Sequence, residues 1–103
     1  MAVLLQINII PIGKEGASLS DALAEVLKVV EERNIPYQLG PMSTVLEGDL
    51  DTLLEVAREM HEVCFTQGYP RVVTSIRIDD RRDKDVSMQY KTQTVEAKVG
   101  KQR

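Results

Sequence analysis

Thr44 and Glu47 are polar side chains inside an otherwise apolar strand, the second run of residues 36–50, PYQLGPMSTVLEGDL. A hydroxyl and a carboxylate placed there need partners if buried, which makes them candidates for holding a ligand. Three apart on a strand, they nominally point to opposite faces, so they share a pocket only if the strand bulges or Glu47 already belongs to the turn. The plainer reading puts Thr44 in a β-favourable slot and has Glu47 help to cap the following helix. Gln6 and Asn8, two apart, share a strand face, where their amides would make a hydrogen-bonding platform for a polar heterocycle. Interface contact or solvation is the alternative. Ser75 and Arg77 could extend that platform from a neighbouring strand, and Arg77 could equally form an ion pair between subunits.

Other reactive side chains point nowhere in particular. His61 has no second histidine and no Cys-x-x-Cys beside it, so surface or interface packing is expected and a metal is not. Cys64 falls in an apolar helical stripe and reads as core, and as the single cysteine it cannot form an internal disulfide. Arg81, Arg82 and Lys84 form a basic knot that Asp79, Asp80, Asp83 and Asp85 neutralise, leaving a solvated turn. There is no Walker-type phosphate loop and no nucleophile–base pair. Glu47 and His61 are the only nominal general bases, so an enzyme is not expected.

Composition narrows the class further. With 43% hydrophobic and 28% charged residues in 103, the chain is a soluble globular domain rather than a disordered or membrane one. A net charge of -3 argues against a broad nucleic-acid footprint. No apolar run reaches the roughly 20 residues of a membrane span. The opening run goes straight into a strand pattern, so no export signal is expected, and a reducing cytoplasm is the simplest home.

The elements that must position these residues follow from periodicity. Val3–Ile12 alternates, with Val3, Leu5, Ile7 and Ile9 on one face and Leu4, Gln6, Asn8 and Ile10 on the other. Ser18 and Asp21 resemble a capping box opening a helix to about Arg33, with a stripe of Leu19, Leu23, Val26, Leu27 and Val30. Two short strands turn back at Gly40-Pro41. Asp49 then caps a helix from about Leu50 to Gln67, with a stripe of Leu50, Leu53, Leu54, Ala57, Met60 and Cys64, flanked by Val56 and Val63, and Gly68 stops it. Arg71–Asp79 alternates again. This order is the ferredoxin-like βαββαβ plan, an α+β fold with antiparallel sheet order 4-1-3-2 and both helices on one face. The chain reads as one domain, with a core of residues 1–80 and a C-terminal extension, 81–103, in which Met88, Lys91, Val95 and Val99 mark one face of a short helix.

Both helices on one face leave the other open. Its mixture of Leu4, Gln6, Asn8, Ile10, Val73, Ser75 and Arg77 suits neither solvent nor a core, and predicts a homo-oligomer assembled partly through it. Stacking aromatics, which an RNA-recognition domain needs on its central strands, are missing. So are the paired thiols of a metallochaperone in the loop Gly13-Lys14-Glu15-Gly16.

Several segments together resemble a known family. They are Ile10-Pro11-Ile12-Gly13, the run from Tyr37 to Asp49, His61, Gly68 with Arg71-Val72-Val73, and Ile78-Asp79-Asp80-Arg81-Arg82 followed by Met88 and Lys91. In these the chain is similar to the small thiamine-binding-protein family over nearly its whole length, most specifically at Thr44…Glu47-Gly48. The resemblance implies a ferredoxin-like tetramer of paired dimers that binds thiamine, or its hydroxymethylpyrimidine half, without catalysis and without a cofactor. For such a ligand, its chemistry would assign Thr44 and Ser43 to hydrogen bonds with the pyrimidine, Glu47 to its amine or to the thiazolium cation, Tyr37 to a wall, and Gln6 and Asn8 to secondary polar contacts. The competing reading is a regulatory or scaffold oligomer with no thiamine-related ligand.

Overall fold

The computed structural model describes residues 2–84 and 87–100. Asp85, part of the charged turn in the sequence reading, lies outside them. In chain order the elements are β1 (Val3–Ile12), α1 (Leu19–Glu32), β2 (Tyr37–Leu39), β3 (Thr44–Gly48), α2 (Leu50–Thr66), β4 (Arg71–Asp79) and α3 (Met88–Val99). The sheet is antiparallel in the order β2-β3-β1-β4, the expected order read from its other edge. The fold is ferredoxin-like with a C-terminal helix added.

Local chemistry sets the helix ends. Ser18 caps α1, its hydroxyl accepting from the Asp21 amide at 3.4 Å, and Asn34 leaves the helix at φ 54° just before Pro36. Asp49 caps α2 by accepting from the Thr52 amide at 3.0 Å, and that bond holds its carboxyl pKa below the ordinary aspartate value. A lowered folded-state pKa stabilises above the unfolded pKa, about 3.9, and the contribution is lost as pH falls through the folded value. The stability difference between wild type and Asp49→Asn is therefore expected to change with pH only below about pH 4; in acid urea titrations, a difference that stays constant contradicts the cap's ionisation. Gly68, at φ 96°, carries the chain out of α2 in the left-handed region open to glycine.

The core lies between the helices and one sheet face, formed by Val3, Leu5, Ile7 and Ile9 of β1, Leu46 of β3, Val26 and Val30 of α1, and Leu53, Val56, Met60 and Cys64 of α2. Burial pushes the Cys64 thiol pKa up, in keeping with a packing role. Two expected stripes are corrected. On α2, Val56 is fully buried while Leu54 is exposed, because Leu53, Val56/Ala57, Met60 and Cys64 share the inner face at three- and four-residue spacing. On α1, Ala22, Val26 and Val30 are buried while Leu19 and Leu23 are exposed. Leu19 and Leu23 instead border a cleft whose other side is formed by β1 and the β2–β3 turn.

The C-terminal helix docks on the open sheet face by its first turns only. Val95 and Val99, half of its expected face, remain exposed, and none of its residues is buried.

Candidate functional site

The register decides which side chains can meet. β1 pairs with β3 through Leu4↔Glu47, Gln6↔Val45 and Ile7↔Thr44, and with β4 through Leu4↔Asp79, Gln6↔Arg77 and Asn8↔Ser75. Residues opposite one another in an antiparallel pair share a face. The ladder runs through without a bulge, so Thr44 faces the helices while Glu47 faces the open side. The condition under which those two residues share one pocket is not met.

A first cleft, of about 280 Å³, lies between the start of α1 and the β2–β3 turn. It forms because β1 outruns its neighbour: the β3 pairing stops at Ile7, and Asn8 to Ile12 have β4 alone as strand partner. The backbone edge at Asn8–Ile10 therefore presents amide and carbonyl groups to the cleft rather than to a strand. Thr44, only 8% exposed, and Ser43 contribute hydroxyls. Leu19, Leu23, Leu39 and Met42 wall the opening, all four exposed and Met42 at 84%. Among the described residues, none that lines it is charged.

A second cleft, of about 470 Å³, lies on the open face beneath α3. Its floor is one register row across all four strands, Arg77–Gln6–Val45–Gln38. The adjacent row, Asp79–Leu4–Glu47, holds the helix at both ends. Glu47 Oε1 accepts the Met88 amide at 2.9 Å, and the Lys91 ammonium pairs with the Asp79 carboxylate. Leu4 between them is 7% exposed although it belongs to the open face. The polar mixture seen there in the sequence thus has an occupant within the chain for one row. Gln6 Nε2 donates to Ser43 Oγ at 3.0 Å, so Gln6 bridges the two clefts.

Of the six residues singled out in the sequence, Ser43 and Thr44 line the first cleft, Asn8 borders it from the β1 edge with its register on the open face, and Gln6 lines the second. Glu47 secures α3. Tyr37 lies on the helix side and lines neither cleft; its hydroxyl donates to Glu31, whose carboxylate raises the phenol pKa. His61 Nδ1 lies 2.7 Å from Thr74 Oγ1 and its ring meets Phe65 edge-on, which ties α2 to β4. Among the described residues no cluster of three His, Cys, Asp or Glu could hold a metal ion.

The sequence reading missed Gln38, Lys91 and Thr92 as lining residues, and the walls Leu19, Leu23, Leu39 and Met42. Gln38 was within reach: once β2 and β3 form a hairpin, it sits opposite Val45, on the same face as Gln6. The leucines of α1 carried no such signal, because an apolar stripe looks the same over a core and over a cleft.

Comparison with known proteins places these clefts in a family context. A family model described as thiamine-binding protein matches residues 5–96. A UPF0045 protein of Bacillus subtilis is 46% identical over 93 residues, covering 86% of this chain and 89% of that one. The crystal structure of a hypothetical protein from Methanocaldococcus jannaschii superposes with a TM-score of 0.83 at 35% identity, covering 91% of this chain and 95% of the other. A Thermotoga maritima protein provisionally assigned to thiamine biosynthesis or salvage has a TM-score of 0.77 at 19% identity, covering 92% and 99%, a likeness of fold.

Proposed function

The chain belongs to the thiamine-binding protein family, and from that premise we propose that it binds thiamine, or thiamine's hydroxymethylpyrimidine half, in the cleft between α1 and the β2–β3 turn. The observation that carries this reading is the convergence of exposed apolar walls with a few polar groups. Leu19, Leu23, Leu39 and Met42 offer an apolar surface to a flat ring, while Thr44, Ser43 and the unpaired β1 edge from Asn8 to Ile10 offer hydrogen bonds to ring nitrogens and an exocyclic amine. At about 280 Å³ the cleft sits at the small end of small-molecule sites, suited to one heterocycle more than to a large ligand.

Charge chooses between the two clefts. Thiazolium is a cation, and Arg77 in the larger cleft repels it, Lys91 there being paired with Asp79, whereas the α1 cleft has no charged lining among the described residues. Bound there, the pyrimidine lies inside and the thiazolium toward the mouth. Glu47, on the opposite sheet face, has no part in this contact. The role is one of carrying, buffering or sensing the ligand, without catalysis.

Calorimetry of the whole chain with thiamine and with hydroxymethylpyrimidine tests the reading. Both are expected to bind. Thr44→Val, which keeps the shape and removes the hydroxyl, is expected to weaken binding by about threefold to tenfold, the worth of one ordinary hydrogen bond. Absence of heat with either ligand would sink the reading.

Assembly accompanies this proposal. Beyond α3, the open face still exposes Ile10 and Val73 beside Asn8 and Ser75, and the β4 edge exposes Ile76 and Ile78. These surfaces suit a homo-oligomer, a dimer of dimers, and light scattering showing a monomer at micromolar concentration removes it.

A further inference from the structure

The cleft beneath α3 has chemistry of its own. Four side chains stand in one line across the sheet: the Arg77 guanidinium, the Gln6 amide, the Val45 side chain and the Gln38 amide. With strands about 4.8 Å apart, the line is roughly 14 Å long. Met88 and Thr92 of α3 face it from above, and the open cleft between them, about 470 Å³, lies within the roughly 300–1,000 Å³ of small-molecule sites. Arg77 forms no ion pair among the described residues, while Lys91, Asp79 and the neighbouring Glu47 are already engaged. The cleft therefore holds a planar cation at one end with its donors unspent.

We propose that the cleft beneath α3 is a second binding site, for a small organic anion with a flat polar ring whose oxyanion group seats on Arg77. A guanidinium presents a fork of N–H donors that matches a carboxylate or a phosphate in bidentate fashion. Lys91, paired with Asp79, adds no net charge, but with one N–H held by that carboxylate its ammonium has two more donors to give. Toward the other end, Gln38 offers both amide donors and an acceptor, and Gln6, its Nε2 committed to Ser43, offers its carbonyl oxygen. Leu4, Val45 and Met88 supply the apolar surface on which a ring lies. A cation such as thiazolium is excluded by the same Arg77 that draws the anion. This site differs from the α1 cleft in place, charge and ligand, so it stands or falls separately.

Calorimetry of the whole chain with two matched pairs of probes tests it: uridine 5′-monophosphate against uridine, and orotate against uracil. The anionic member of at least one pair is expected to bind tenfold or more tightly than its neutral partner; gain in the first pair identifies a phosphate ligand, in the second a carboxylate. Arg77→Gln is expected to erase that difference and Arg77→Lys to retain part of it, while binding of hydroxymethylpyrimidine at the α1 cleft is unchanged. Equal binding within both pairs overturns the proposal, as does an anion preference that survives Arg77→Gln. A fall in oligomer mass for Arg77→Gln with no change in anion preference also overturns it, and makes Arg77 an inter-subunit ion-pair residue.

Discussion

Leu5→Ala is expected to destabilise the protein by about 2–5 kcal/mol, the range for truncating a buried leucine that leaves a cavity behind. Leu5 has no exposed surface, lies on an inner strand between Leu46 and Ile78 in register, and belongs to the core cluster. Domains of this size hold about 5–15 kcal/mol in total, so the substitution removes a large share of the stability. The melting temperature is expected to fall by about 10 °C or more. Leu54→Ala provides the contrast. Both leucines fit an apolar pattern in the sequence, but Leu54 is 43% exposed and is expected to cost under about 1 kcal/mol. Urea unfolding of the two variants measures the difference, and equal midpoints would contradict the placement of the core.

Glu47→Ala is expected to release α3 while leaving the core folded. A hydrogen bond to a carboxylate contributes about 1.5–3 kcal/mol, and here it is the attachment that holds the first amide of α3. A 12-residue helix with no buried residue cannot persist by itself in water. Amide exchange over residues 88–99 is expected to quicken by about tenfold to a hundredfold, with β1 and β3 protected as before. Glu47→Gln keeps an acceptor oxygen and is expected to fall between wild type and Glu47→Ala. Unchanged exchange in Glu47→Ala would mean that α3 is held by Lys91–Asp79 or by packing on Leu4 instead.

Much of the fold was legible because its signals are local. Alternation in Val3–Ile12 and Arg71–Asp79, the caps at Ser18 and Asp49, and the break at Gly40-Pro41 each report a backbone preference within a few residues. Chain order and right-handed crossovers then leave few topologies, and the sheet order follows. The site was legible only in part. Parity along a strand already stated that Thr44 and Glu47 are on opposite faces without a bulge, and the regular ladder has none. Parity could not say that β3 begins only at Thr44, opposite Ile7, because where a strand starts depends on what it pairs with.

By itself, then, the sequence determined the elements, their order and the composition of each face, since these rest on period, capping and turn chemistry between near neighbours. Tertiary structure alone decided where those faces are left uncovered. Leu19 and Leu23 became walls of a cleft, not core. Glu47 became the partner of Met88, 41 residues away. Arg77, Gln6, Val45 and Gln38 became one row through three strand pairings. The physical reason is the same in each case. A side chain's period is set by its own backbone, but its neighbours across a sheet or under a helix are set by register and element length, which no short window of residues contains.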